Sequence, residues 1–172
     1  MLLLGNEGLS QPTLEPVFLL DDDISYRFAP ALSHATGYEI RSVQCVWNDR
    51  DRFINPVQDE EIIPYLGELA REKGIWITAD WDSRTAHAKL IMAENISVLW
   101  VHAPKGKALR GLQELQLLSQ VIEHVYALVA AARSPVYLRT YLNVTRPRLD
   151  RLAGTLYDSK LNWERVPLHE HP

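Results

Sequence analysis

The chain has almost no cysteine and no long apolar run. Cys45 is the only cysteine among 172 residues, so no intramolecular disulfide can form. Its place in the run 40–47 indicates a buried thiol, and no neighbouring group would activate it as a nucleophile. The first apolar stretch is too short for a signal peptide and has no basic flank, and no later run is long enough to cross a bilayer. We therefore expect a cytoplasmic protein without membrane contact.

The chain also lacks a strong net charge. Its 22 acidic and 18 basic residues give a formal net charge of −4, which argues against a general binder of nucleic acid or anionic membranes. The segment 133–165 differs, because seven basic and three acidic residues give it a charge of +4. This segment could hold a phosphate backbone near a metal site, although a solvated charged tail is the commoner explanation.

Carboxylates placed just after short apolar runs are the feature that points to a function. Five aspartates follow two such runs: Asp21, Asp22, Asp23, Asp80 and Asp82. In a parallel sheet, ligand-binding and catalytic groups gather beyond the carboxyl ends of the strands. Carboxylates brought together there would repel one another unless a cation lay among them. The pattern therefore indicates a Mg²⁺ or Mn²⁺ site with oxygen ligands.

Apolar runs and helical periodicity alternate along the chain. The predicted strands are 17–20, 38–47, 74–78, 97–102 and 136–142, and the predicted helices are 25–36, one that contains 62–70 and is closed by Gly74, 83–94 and 109–132. Strands and helices in turn imply parallel crossovers. We therefore predict a three-layer α/β/α sandwich with a mainly parallel sheet of about five strands. It would occupy residues 15–142, between a polar leader (1–14) and a basic C-terminal extension (143–172).

Three acidic segments resemble one known family. The run Leu-Leu-Asp-Asp-Asp-Ile-Ser at 19–25, the Asp-Glu-Glu-Ile at 59–62 and the Ile-Thr-Ala-Asp-Trp-Asp at 77–82 look like the motifs of small PIN-like proteins grouped with VapC-type toxin ribonucleases. The resemblance covers about 17–102 and rests on the order and spacing of the motifs. The chain departs from the family pattern in its Trp-Asp-Ser at 81–83 and in a long tail after Val136.

The resemblance implies a PIN-like fold and a metal-dependent endoribonuclease, often paired with an antitoxin protein. The positions that match the acidic residues of the family, as catalytic groups and metal ligands, are Asp21, Asp59, Asp80 and Asp82. Additional members of the site would be Asp22, Asp23, Glu60 and Thr78. Residues that would contact the substrate are Arg84, His87, Arg146 and Arg148. The expected partners are RNA, an antitoxin and a second copy of the chain.

Clustered carboxylates are also consistent with metal-dependent hydrolysis of RNA when the family resemblance is left aside. Hydrolysis of a phosphodiester needs an in-line water, charge compensation on the phosphoryl oxygens and help for the leaving oxygen. One or two divalent ions supply all three, and Mg²⁺ needs only a few carboxylates because it keeps several waters.

Simpler and different interpretations remain open. Asp59 and Asp82 precede predicted helices, where aspartate is a favoured N-cap, and Asp23 or Ser25 could cap the first helix. Trp81 could stack on a base or belong to the core. The chain could be a catalytically inactive PIN-like module that binds a protein. It could also be a receiver-like signalling domain, although Lys105 follows the fourth strand and not the fifth, where receivers carry a lysine.

Overall fold

A mixed seven-stranded sheet organises the chain in a computed structural model that describes residues 15–46, 58–102, 111–141 and 147–168. The strands are β1 Val17–Leu20, β2 Glu39–Ser42, β3 Gly74–Thr78, β4 Ser97–His102, β5 Tyr137–Tyr141, β6 Leu149–Leu152 and β7 Trp163–Val166. Their order in the sheet is β2-β1-β3-β4-β5-β6-β7. Strands β1 to β5 pair in parallel, whereas β6 and β7 are antiparallel to their neighbours.

Helices cover both faces of this sheet. They are α1 Phe28–Thr36, α2 Val43–Val46, α3 Asp59–Ala70, α4 Ser83–Ala86, α5 Ala88–Ala93 and α6 Gly111–Ala131. Helices α1 and α6 pack on one face, and α3 and α5 on the other. Alternate residues of the strands therefore enter two separate apolar clusters, and the central strands are buried along their whole length. The predicted α/β architecture with three layers is confirmed.

The sheet is larger than predicted and only partly parallel. Strands β6 and β7 lie in the segment 143–172, so this basic segment shares the sheet with the predicted domain. Leu149 and Leu152 enter the two apolar clusters, while the intervening Asp150 is fully buried. A short strand with two charged residues has no clear period-two pattern, and its pairing with β5 was not visible in the sequence.

Two predicted elements are shorter or broken. The second strand ends at Ser42, because the chain turns there into α2, and its predicted end at Trp47 lies outside the described residues. The predicted helix 83–94 consists of α4 and α5, which are separated at His87, a residue with φ −114° and ψ 13°. The predicted end of the first helix is confirmed, since Gly37 adopts a left-handed φ of 75°.

Gly74 has a different role from the one predicted. Helix α3 ends at Ala70 and a 3-10 turn spans Arg71–Lys73, so Gly74 does not close the helix but begins β3. A Cβ at Gly74 would lie 2.8 Å from Cγ of Leu66. The glycine therefore allows α3 to pack closely on the start of β3. In the described part of the chain, no helix has the length and apolar character that a membrane span requires.

Candidate functional site

The predicted aspartates lie where the strand order reverses. Strand β1 has β2 on one side and β3 on the other, and such a switch point opens a crevice beyond the carboxyl ends of the strands. Asp21 directly follows β1, and its backbone N–H donates to the carbonyl of Ile77 in β3 at 2.9 Å. Asp80 follows β3 by two residues. The sheet therefore brings two sequence-distant aspartates to the same edge.

Asp23 connects the two strand ends. Its Oδ2 accepts hydrogen bonds from the backbone N–H of Ala79 at 2.8 Å and from the hydroxyl of Thr78 at 3.2 Å. The Thr78 hydroxyl in turn accepts from the backbone N–H of Asp80 at 3.0 Å. Thr78 is fully buried. The Asp23 carboxylate therefore orients the loop that carries Asp80.

The loop after β3 is a tight turn that fixes Asp80. Oδ1 of Asp80 accepts from the backbone N–H of Asp82 at 2.9 Å, and the carbonyl of Asp80 accepts from the hydroxyl of Ser83 at 2.7 Å. The indole N–H of Trp100 donates to the same Ser83 hydroxyl at 3.2 Å in the core. Asp80 and Asp82 are both exposed. Through its bonds to the Asp80 carbonyl and to Trp100, Ser83 connects their loop to β4.

Asp59 reaches the same edge from the start of α3. Its Oδ2 lies 3.1 Å from Nε2 of His87, and Nδ1 of His87 lies 3.8 Å from Oε1 of Glu60. The break between α4 and α5 therefore places the imidazole of His87 against the acidic start of α3. We predicted His87 as a substrate contact. Its imidazole contacts Asp59 and Glu60, which are two carboxylates of the predicted site.

The other predicted residues lie around this centre. Asp22 is exposed, and its backbone N–H donates to Oδ1 of Asp21 at 2.9 Å. Arg84 is half-buried beside Trp81, with its guanidinium carbon 5.3 Å from the ring centroid. Arg148 directly precedes β6, and its carbonyl accepts a hydrogen bond from the hydroxyl of Thr140 in β5. Arg146 lies outside the described residues.

Burial and mutual repulsion perturb the titration of the site. Burial, and then the negative charge of Asp23, raise the pKa of Asp21 to about 7. Burial also raises the pKa of Asp23 to about 6, although the hydrogen bond from Ala79 opposes this effect. The pKa of Asp59 is raised by burial, with His87 opposing and the charge of Asp80 adding to the effect. These aspartates are therefore within electrostatic reach of one another, and burial favours their protonated forms.

Glu114 in α6 is a further buried carboxyl group that was not predicted from the sequence. Its residue surface is only 3% exposed, and its Oε1 is buried without a hydrogen-bond partner among the described residues. Burial, and then the charge of Asp23, raise the pKa of Glu114 to about 7. A signal was present, because Glu114 precedes Leu117 and Leu118 by one helical turn and so lies on the buried stripe of α6. Leu112, an apolar residue one position after the start of α6, is by contrast 84% exposed.

Helix capping does not account for these aspartates. Asp59 is the first residue of α3, and the residue at the cap is Gln58, whose backbone N–H donates to Oε2 of Glu61 at 3.2 Å. Asp82 does occupy the N-cap of α4, but its side chain makes no capping hydrogen bond. The first helix begins after Arg27, so neither Asp23 nor Ser25 caps it.

A divalent cation fits the chemistry of the clustered oxygens. Among the residues that the structure describes, no three or more histidine, cysteine, aspartate or glutamate side chains are arranged as ligands of one metal ion. Mg²⁺ is usually held by one or two carboxylates and keeps several waters, so it does not need a complete protein cage. A cation beside Asp21 and Asp80 would offset the burial and the repulsion by Asp23 that raise the pKa of Asp21.

Comparison with known proteins adds no family to these observations. No family model, no curated protein and no solved structure matches the chain.

Proposed function

We propose that this chain is a divalent-metal-dependent endoribonuclease of the PIN-like, VapC-type kind, acting in the cytoplasm as the toxin of a toxin–antitoxin pair. The observation that supports this proposal most is the convergence of Asp21, Asp23, Asp59 and Asp80 at the switch point of the sheet. Burial raises the pKa values of Asp21, Asp23 and Asp59, and neighbouring carboxylates add to the effect. Such an arrangement disfavours the ionised state in the absence of a cation. An antitoxin and a second copy of the chain are the proposed protein partners.

The residues would divide the work by their positions. Asp21 and Asp80 would hold the ion from the ends of β1 and β3, and Asp59 at the start of α3 would add negative charge near it. A bound Mg²⁺ or Mn²⁺ would supply charge compensation for the phosphoryl oxygens and activate the attacking water. Asp23 would position Asp80 through Thr78 and Ala79, because its carboxylate accepts both of their hydrogen bonds. His87 would orient Asp59, which it contacts at 3.1 Å.

One observation favours a second candidate function. The order β2-β1-β3-β4-β5 of the parallel strands is the flavodoxin-like order that receiver domains share. A receiver-like domain would accept a phosphoryl group on an aspartate near β3. Strand β5, however, has the sequence Tyr-Leu-Arg-Thr-Tyr and carries no lysine, and β4 ends in His102 where a serine or threonine would be expected. We therefore rank this function below the nuclease.

Cleavage of RNA by matched variants tests the proposal. We expect the wild-type chain to cut single-stranded RNA in Mg²⁺ or Mn²⁺ and not in EDTA. Asp80→Asn keeps the size of the side chain but removes a charge, and should lower the cleavage rate by about 100-fold or more, since even outer-shell partners of metal ligands contribute about 10- to 100-fold. Glu164→Gln, which removes an exposed carboxylate on β7, is the control and should cleave normally.

Two outcomes would contradict the proposal. Wild-type protein that leaves RNA intact in both metals would favour the inactive binding module. Transfer of a phosphoryl group from a small phosphodonor to the chain, abolished by Asp80→Asn, would favour the receiver-like alternative.

A further inference from the structure

Glu114 is a buried carboxyl group that has no role in the proposed nuclease mechanism. It lies in the first turn of α6, and only 3% of its surface is exposed. The described residues supply neither a hydrogen-bond donor to its Oε1 nor a basic group that lowers its pKa. Such an oxygen is costly to the fold, because it has lost its water and gained no other donor. The position therefore calls for a ligand that satisfies this oxygen.

The start of α6 packs against the segment that follows Asp23. Ile24 and Phe28 of this segment belong to the same apolar cluster as the buried leucines of α6. A Cβ at Gly111, the first residue of α6, would lie 3.6 Å from Cζ of Phe28. This packing brings Glu114 close to Asp23, whose negative charge is, after burial, the second cause that raises the pKa of Glu114. Two carboxyl groups from distant parts of the chain thus come within electrostatic reach of each other.

Asp23 has an oxygen that the loop after β3 does not occupy. The hydrogen bonds from Ala79 and from the Thr78 hydroxyl both end on Oδ2 of Asp23. Neither of them engages Oδ1. Asp23 also keeps exposed surface, although the protein around its carboxyl group partly desolvates it. A ligand can therefore bind Oδ1 while Oδ2 continues to hold the loop that carries Asp80.

A hydrated divalent cation suits these two carboxyl groups. Protonation would remove the charge of Glu114, but it would give Oε1 no donor. A hydrated Mg²⁺ supplies positive charge and, through its water ligands, hydrogen-bond donors as well. Carboxylate oxygens are donors that Mg²⁺ prefers, and one or two of them are usually enough because the ion keeps several waters. Ca²⁺ takes about six to eight oxygen ligands and fits a pair of carboxylates less well.

We propose that Asp23 and Glu114 form a second binding site for Mg²⁺, beside the start of α6. The site goes beyond the proposed nuclease function, because its ligands are not those assigned to the ion at Asp21 and Asp80. It holds whether or not the chain cleaves RNA. An ion on Oδ1 of Asp23 ties the start of α6 to the loops after β1 and β3, since Oδ2 of the same carboxylate already binds the loop after β3.

Binding of Mn²⁺ to the full chain without RNA tests this site. Mn²⁺ accepts the same oxygen ligands as Mg²⁺, and its electron paramagnetic resonance signal reports the free ion during a titration at pH 8. The wild-type chain should bind two ions, one at each site. Glu114→Gln removes the charged ligand and should weaken one ion by about 100-fold or more, since even outer-shell partners contribute about 10- to 100-fold. Asp80→Asn should weaken the other ion and leave this one in place.

A variant on the same helix is the matched control. Glu123→Gln removes an exposed carboxylate from α6 and should bind Mn²⁺ as the wild type does. Urea titrations in EDTA show whether each variant is folded. Glu114→Asp keeps the charge on a shorter side chain, so it should bind the ion more weakly than the wild type and more tightly than Glu114→Gln. It replaces Glu114→Gln in the test if that variant does not unfold cooperatively.

The outcomes separate this site from the proposed nuclease. Equal Mn²⁺ binding by the wild type and Glu114→Gln, including no binding by either, would overturn the inference and leave Glu114 as a buried neutral carboxyl group. A single ion removed by both Glu114→Gln and Asp80→Asn would also overturn it, because the carboxylates would then share one ion. A single ion that survives Asp80→Asn but not Glu114→Gln would support the inference and contradict the nuclease. Two ions on a chain that never cleaves RNA would do the same.

Discussion

At the scale of single residues, the main feature of this molecule is its buried carboxyl groups. Asp21 and Glu114 are 2% and 3% exposed, and burial raises the pKa of each to about 7. A protein keeps such groups at a cost in stability, because their ionised forms are poorly solvated in the folded state. The cost grows as the pH rises toward these pKa values and is fully present above them.

The stability of the wild-type chain should therefore fall with rising pH. Between about pH 4 and pH 7, the folded state keeps protons on Asp21 and Glu114 that the unfolded state has released. The free energy of unfolding should decrease through this window by a few kcal/mol and level off above it. Urea titrations from pH 4 to pH 8 measure this, and a flat profile would contradict it.

Glu114→Gln isolates one contribution to that profile. The variant should be more stable than the wild type at pH 8 and equally stable near pH 4, where both side chains are neutral. Glu164→Gln removes an exposed carboxylate and should differ from the wild type by less than about 0.5 kcal/mol at either pH.

At the scale of secondary-structure elements, the short connections determine the geometry of the site. The sequence predicted β1, β3 and β4 with their observed bounds, because each is a short apolar run covered on both faces. It did not predict the break at His87, since residues 83–94 are compatible with one helix. The contacts of His87 with Asp59 and Glu60 depend on that break and join elements far apart in the chain.

Lys73 links the turn after α3 to the C-terminal end of α6. From the 3-10 turn after α3, its Nζ donates to the carbonyls of Val129 at 2.8 Å, Ala130 at 3.1 Å and Ala132 at 2.8 Å, at the C-terminal end of α6. We expect Lys73→Met to lower the free energy of unfolding by about 1–3 kcal/mol, because three carbonyls lose a charged donor. Lys89→Met, at an exposed position on α5, should change it by less than about 0.5 kcal/mol. Equal effects of the two substitutions in urea titrations would show that the Lys73 contacts do not stabilise α6.

At the scale of the whole molecule, the sheet extends through the basic C-terminal segment. Leu149 and Leu152 in β6 enter opposite apolar clusters, and Leu156 in the following loop is also buried. Asp150 between them binds Arg139 of β5. The positive charge of the segment therefore coexists with a structural role.

Removal of this segment should destabilise the whole fold. A chain that ends at residue 141 loses three buried leucines and leaves the buried residues of β5 at an open edge, so we expect it to lack a cooperative urea transition. The control is Arg151→Gln with Arg165→Gln in the full chain, which lowers the charge but keeps both strands and should unfold normally. A truncated chain that unfolds cooperatively with near-native circular dichroism would show that the segment is a dispensable tail.

The sequence by itself determined the alternation of strands and helices, the three layers and the placement of Asp21 and Asp80 after strand ends, because these depend on local apolar runs. The strand order that makes β1 and β3 neighbours came from the tertiary structure. The tertiary structure alone decided that Asp23 bridges to Ala79, that Glu114 lies near Asp23, and that β6 and β7 join the sheet. Each of these features depends on pairing or electrostatic contact between residues distant in the chain, and such contacts leave no periodic pattern in the sequence.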